Sequence, residues 1–118
     1  MPFQVTPSAF TTEAEAIAAI EAAGLHAYAS DVQANRRDLH WHDFDALLAI
    51  VEGSLVATDE SGEVFTCSAG SLLQVTGRPL HTEETTAGRF VFGFHVPYDQ
   101  LEQPINRSPE SHPSAIDT

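Results

Sequence analysis

This chain of 118 residues contains no lysine. That removes Schiff-base chemistry on a lysine and the lysine of a phosphate-binding loop. Positive charge is scarce altogether. Arg36, Arg37, Arg78, Arg89 and Arg107 stand against 17 Asp and Glu, for a formal net charge of −12 and a pI near 4.5. Nucleic-acid backbones are bound by stripes of positive charge, and only Arg36 and Arg37 are adjacent, so the composition argues against a nucleic-acid partner and against an anionic membrane surface. Cysteine is as scarce: Cys67 stands alone, which excludes an intramolecular disulfide and a Cys-rich zinc site. No apolar run approaches the roughly 18–20 residues that span a bilayer. The opening MPFQVTPSAF has neither the basic nor the apolar region of a secretory signal. The expectation is a soluble, cytoplasmic protein with no membrane partner.

At 12.8 kDa there is room for one core. Three segments are expected: residues 1–24 as an N-terminal strand and helix, 25–103 as a β-domain, and 104–118 as a tail. Thr12 followed by Glu15 makes a capping box, Ile17 and Ile20 lie on an apolar stripe with Ala14, Ala18 and Ala23, and Gly24 sits where a helix would end. This predicts a helix over Thr12–Ala23, after a short edge strand at Phe3–Val5. From Leu25 to Val96 the pattern becomes one of short strands. Tyr28, Ser30 and Val32 alternate, and Asn35-Arg36-Arg37 reads as a break. Leu47–Val56 is apolar except at Glu52-Gly53, Asp59–Gly62 is a turn, and Phe90, Phe92 and Phe94 share one face of a last strand. That spacing reads as an all-β sandwich or barrel. The Pro- and Ser-rich segment after Pro104 has little to bury and reads as a loosely held tail in which His112 is solvated.

The chemistry lies in two short segments. In Leu39-His40-Trp41-His42-Asp43-Phe44-Asp45 the two histidines are one pleat apart, so they point to one side of a strand and Trp41 to the other. Two neutral imidazoles so placed can share a transition-metal ion, although a polar strand edge with two incidental histidines has the same pattern. A third histidine, His81, follows Gly70-Ser71-Leu72-Leu73-Gln74-Val75 and a Gly77-Arg78-Pro79 break.

This order resembles the cupin superfamily of RmlC-like jelly-roll barrels. The family's first motif, His-x-His followed by an acidic residue and a strand closing on Gly, lies on His40, His42 and Gly53. Its second motif, from a Gly through a Pro/Gly turn to a His, lies on Gly70 and His81. The resemblance covers about Ala27–Val96, with the short inter-motif stretch of small bacterial single-domain members. It implies a cupin-type double-stranded β-helix with one short N-terminal α-helix, a mononuclear site on His40, His42 and His81, and a homodimer packed through its sheets. Three positions depart from the pattern. The first-motif glutamate falls on Ala46, the second-motif proline near Thr76, and the last asparagine on Thr85. The carboxylate missing at Ala46 has three candidate replacements: Asp45, if the strand bulges there; Asp43, of the same parity; and Glu83, two residues beyond His81 and on its face. Asp45 and Glu83 are accordingly the candidates for acid/base or fourth ligand. Asp38 shares the parity of His40 and is placed to orient an imidazole from behind.

Both parities of the strand after His42 are apolar (Ala46, Leu48, Ile50 and Leu47, Ala49, Val51), so it must be covered on both sides, by the barrel interior and by a second layer or subunit. Phe90, Phe92 and Phe94 read as core residues that could also wall a pocket. Tyr28 and Trp41 read as packing, His95 as surface, His26 as loop, Arg89 as a partner for nearby acids, and Cys67 as a buried small hydrophobe. Two functions fit. One is a metal-binding cupin that binds or acts on a small molecule with one divalent ion (Fe, Zn, Ni, Mn or Cu), with dioxygenase, lyase or isomerase chemistry if it is an enzyme. The other is a non-catalytic small-molecule binding or sensing barrel with a degenerate site. They part on whether the three imidazole nitrogens converge.

Overall fold

A computed structural model describes residues 2–113. Among these residues nine strands form two antiparallel sheets. Strands β1 (Phe3–Thr6), β2 (His26–Val32), β4 (Ala46–Glu52), β7 (Leu72–Val75) and β9 (Gly88–Phe94) make a five-stranded sheet in the order β1-β7-β4-β9-β2. Strands β3 (Asn35–His40), β5 (Ser54–Asp59), β6 (Val64–Ser68) and β8 (His81–Thr85) make a four-stranded sheet in the order β3-β8-β5-β6. The two sheets face each other as a cupin-type jelly roll.

The one α-helix among the described residues, α1 (Glu13–Ala22), forms where the capping box requires it. Thr12 Oγ1 accepts from the Glu15 N–H at 3.1 Å, Glu15 Oε1 accepts from the Thr12 N–H at 3.0 Å, and Gly24 ends the helix at φ +83°. β1 is the expected edge strand. Asn35-Arg36-Arg37, expected to break the chain, instead opens β3, and His26 lies in β2 rather than in a loop.

The two-sided apolar character of β4 is explained by what covers it. Leu48 and Ile50 point between the sheets into a core with Phe3, Leu55, Cys67, Leu73 and Phe90. Ala49 points outward, beneath Ala16 and Ile20 of α1, with Leu47 and Val51 packed beside it. The layer over β4 among the described residues is therefore the helix, which packs on the outer face of the sheet across β2, β9 and β4. The turn between β4 and β5 takes glycine for two reasons. Gly53 has φ +88°, and a Cβ there would lie 2.8 Å from Thr86 Oγ1 and 2.9 Å from the Ala87 carbonyl. Among the described residues no helix is long and apolar enough to cross a membrane.

The described part of the tail is not loose. Trp41 and Arg107 exchange backbone hydrogen bonds of 3.1 and 2.9 Å, and the Trp41 indole N–H donates to the Ser108 carbonyl at 3.0 Å. His112 is held as well: its Nε2 donates to the Arg78 carbonyl at 3.0 Å, and its ring meets Trp41 edge-on. Low apolar content hid this strap, because it is fixed mainly through backbone groups.

Two outcomes check the packing. Ile50, fully buried between the sheets, should cost about 2–5 kcal/mol on replacement by Ala, read from the urea midpoint. Cys67 has no accessible surface, and burial pushes its thiol up to about 11, so it should react with a thiol reagent at pH 8 only after unfolding.

Candidate metal centre

β3 and β8 lie side by side in the four-stranded sheet and bring the two motif segments together, with His40 directly opposite His81. The pairing contains one irregularity. Arg37 is opposite Glu83 and His40 opposite His81, so three residue steps on β3 span two on β8. This bulge in β3 reverses the parity of everything before it. Arg37 shares the face of His40, and Asp38 does not. Asp38 still supports His40, through its backbone: its carbonyl accepts from His40 Nδ1–H at 2.7 Å.

The other two rings are held in the same way. His42 Nδ1–H donates to the Ile105 carbonyl of the C-terminal strap at 3.0 Å, and His81 Nδ1–H to the Pro79 carbonyl at 2.9 Å. A carbonyl can only accept, so each Nδ1 must carry the proton. In the neutral rings all three Nε2 atoms then present lone pairs. They converge on Glu83 Oε1, at 2.8 Å from His81, 3.5 Å from His40 and 3.7 Å from His42. The four donor atoms lie within 4.8 Å of one another.

Such a set is poorly satisfied by itself. Three ring lone pairs and a carboxylate are all acceptors, and among the described residues His40 Nε2 is buried without a hydrogen-bond partner. A single proton can serve the His81–Glu83 pair, and the environment keeps that proton off the acid. Burial pushes the Glu83 carboxyl up, but the three imidazoles around it, wherever one carries a proton on Nε2, outweigh burial and hold the group well below its ordinary range. Burial also disfavours charge on His40, yet the Glu83 carboxylate and the Asp38 carbonyl together raise it. A divalent cation would satisfy all four acceptors at once, so the residues fit a metal. Ligands about 2.1 Å from a tetrahedral ion lie ~3.4 Å apart, and the observed set needs only a modest contraction to reach that spacing.

Of the sequence candidates, His40, His42, His81 and Glu83 are brought together. Asp45 is not, and its assignment as an acid/base or fourth ligand is corrected. The pairing of β4 with β7 runs regularly from Ala46, so no bulge turns Asp45 inward, and its exposed carboxylate accepts instead from the Gly77 N–H at 3.1 Å. Asp43 also lies outside, bound to Arg78 at 3.2 Å. Of the three candidates for the carboxylate absent at Ala46, Glu83 on β8 is the one whose oxygen lies at the histidines. Arg89 pairs with Glu13 and Asp31, His95 is exposed, and Trp41 lies under the strap, away from the cluster.

The cluster adjoins a cavity of about 460 Å³ between the sheets. One wall is aromatic: Phe92 and Phe94 lie parallel at 6.0 Å, Tyr28 stacks on Tyr98 at 4.1 Å, and Phe44 is T-shaped against Phe94. Phe90 belongs chiefly to the core. Sequence reasoning missed that Arg37 shares the face of His40, because of the bulge, and missed the strap carbonyl of Ile105, because a carbonyl leaves no residue signature.

Fold and site together define a cupin-type barrel with a three-histidine, one-glutamate cluster that could hold a metal ion. Solved structures agree on the fold. A DUF861 family protein from Thermotoga maritima matches with a TM-score of 0.56 at 12% identity, over 78% of this chain and 98% of its own. A protein assigned as ethanolamine utilization protein Q from Salmonella typhimurium matches with a TM-score of 0.51 at 18% identity, over 77% of this chain and 67% of its own. At these identities the likeness is one of fold. No protein-family model matches the sequence, and no curated protein matches it.

The strap supports His42 from behind, as outer-shell hydrogen bonds do in metal sites. A chain ending at Gln103 should show two effects. The emission of its only tryptophan should shift to the red, and its affinity for a divalent metal in a chelator competition should fall about 10–100-fold. Unchanged affinity would show that the Ile105 carbonyl does not position His42.

Proposed function

We propose that this chain is a mononuclear metalloprotein of the cupin fold, with His40, His42, His81 and Glu83 as ligands, and that it binds a small molecule in the adjoining cavity. The observation that carries the reading is the buried Nε2 of His40, without a hydrogen-bond partner among the described residues and facing two further imidazole lone pairs and a carboxylate oxygen. Three neutral rings and one carboxylate around a divalent ion leave a net charge of +1. They also leave a coordination position free for a ligand oxygen when the ion is five- or six-coordinate. When bound, the ion supplies Lewis acidity, polarising a ligand oxygen or lowering the pKa of a bound water.

The chain's own residues divide the remaining work. The carbonyls of Asp38, Pro79 and Ile105 fix the tautomer and the direction of each ring. Glu83 offsets half of the ion's charge and is itself half-buried. The aromatic residues give the cavity one apolar wall. Imidazole-rich sites with one carboxylate suit Fe, Ni, Cu and Zn better than Mg or Ca, which prefer oxygen ligands.

Elemental analysis of the purified, reconstituted protein should find one divalent transition-metal ion per chain. Glu83→Gln keeps the side-chain shape and should lower the affinity at least about tenfold, and His42→Ala should lower it further, with circular dichroism unchanged in both. A metal-free protein on which His42→Ala has no effect would sink the metal reading and leave a small-molecule barrel in its place.

A further inference from the structure

Arg37 is the one arginine among the residues lining the cavity, and among the described residues it has no ion-pair partner. Arg78, Arg89 and Arg107 are each bound to a carboxylate, and of the two arginines without an ion pair among the described residues, Arg36 and Arg37, only Arg37 lines the cavity. Its position explains why it has no such pair. Arg37 lies directly across from Glu83 on the neighbouring strand, and such pairs share a face of the sheet. Glu83 is the acid that would neutralise it, but that carboxylate is turned toward the three histidines. Asp31, the other acid along the cavity, is bound to Arg89 at 3.2 Å. Arg36, the next residue, alternates to the opposite face. Arg37 thus lines the cavity with no ion pair on its guanidinium among the described residues, next to Asn35 in the same lining.

Across the cavity stands the aromatic wall of the five-stranded sheet, in which Tyr28 is the cross-strand partner of Phe92. The space between is therefore apolar on one side, and on the other it carries the Arg37 guanidinium beside the Glu83–histidine cluster. At about 460 Å³ it suits a compact small molecule. We infer that Arg37 is an anion anchor and that the cavity takes a small aromatic carboxylate, its ring against Phe92 and Tyr28 and its carboxylate on the Arg37 guanidinium. Arginine's planar fork matches a carboxylate in two parallel hydrogen bonds, and a neutral isostere forfeits the charge-assisted part. The inference rests on the proposed metal site only in that a metal beside the cavity would bind a further ligand oxygen. Arg37 is not in the metal cluster.

The test is calorimetric titration of the metal-loaded protein with benzoate and phenylacetate, each against its neutral amide at fixed ionic strength. The carboxylates should bind at least about tenfold more tightly than the amides. Arg37→Gln should weaken carboxylate binding about 10–100-fold and abolish the preference. Arg37→Lys should restore part of it, and the metal content should be unchanged in both variants. A wild-type protein that binds neither carboxylate, or shows no preference, overturns the inference, as does a preference that survives Arg37→Gln. Failure of the metal reading has a different signature. The protein would hold no metal, yet the carboxylate preference would persist and still depend on Arg37, which supports the anchor.

Discussion

The site depends on three hydrogen bonds that run away from it. The Nδ1–H of His40, His42 and His81 each donate to a backbone carbonyl, of Asp38, Ile105 and Pro79. These bonds fix the tautomer, and with it the direction of three Nε2 lone pairs. Once the lone pairs face one another and Glu83, the interior carries an excess of acceptors that only a proton or a cation can relieve. Rigid backbone partners also keep the rings from turning away to relieve it themselves.

Those carbonyls come from three parts of the chain, so the site reports on the whole assembly of the barrel. Asp38 precedes His40 within the bulged strand β3, Pro79 lies in the approach to β8, and Ile105 belongs to the C-terminal strap. The strap is held in place by Trp41, the residue between two of the histidines. Burial of that indole on one face of the segment and convergence of the imidazoles on the other are two consequences of the same alternation. The helix contributes at greater distance, covering the outer face of β4 so that the inner face can form the core beneath the cavity.

Charge is distributed with similar economy. Three arginines lie in surface ion pairs, whose contribution to stability is small. Arg37 lies where its natural cross-strand partner is engaged elsewhere. Glu83 therefore sets two properties at once: it completes the histidine cluster, and by doing so it leaves the Arg37 guanidinium at the cavity without an ion pair among the described residues.

The amino-acid sequence determined a good deal. Local signals placed the helix at Thr12–Ala23 and the edge strand near Phe3, because capping boxes and glycine stops act over a few residues. The order of histidines and glycines resembled the cupin pattern and through that resemblance implied the barrel, and strand alternation put Glu83 on the face of His81. Alternation failed where a strand was irregular. One extra residue between Arg37 and His40 moved Arg37 onto the histidine face and Asp38 off it, and the regular start of β4 kept Asp45 out. A bulge is a property of two paired strands and leaves no mark in either alone. The strap was likewise invisible, since its fixing groups are backbone N–H and C=O, which every residue carries. The sequence by itself thus determined which residues are present and which short elements they form. Only the tertiary structure decided which face each presents and which carbonyl lies behind each ring, because both depend on pairing between segments distant in the chain.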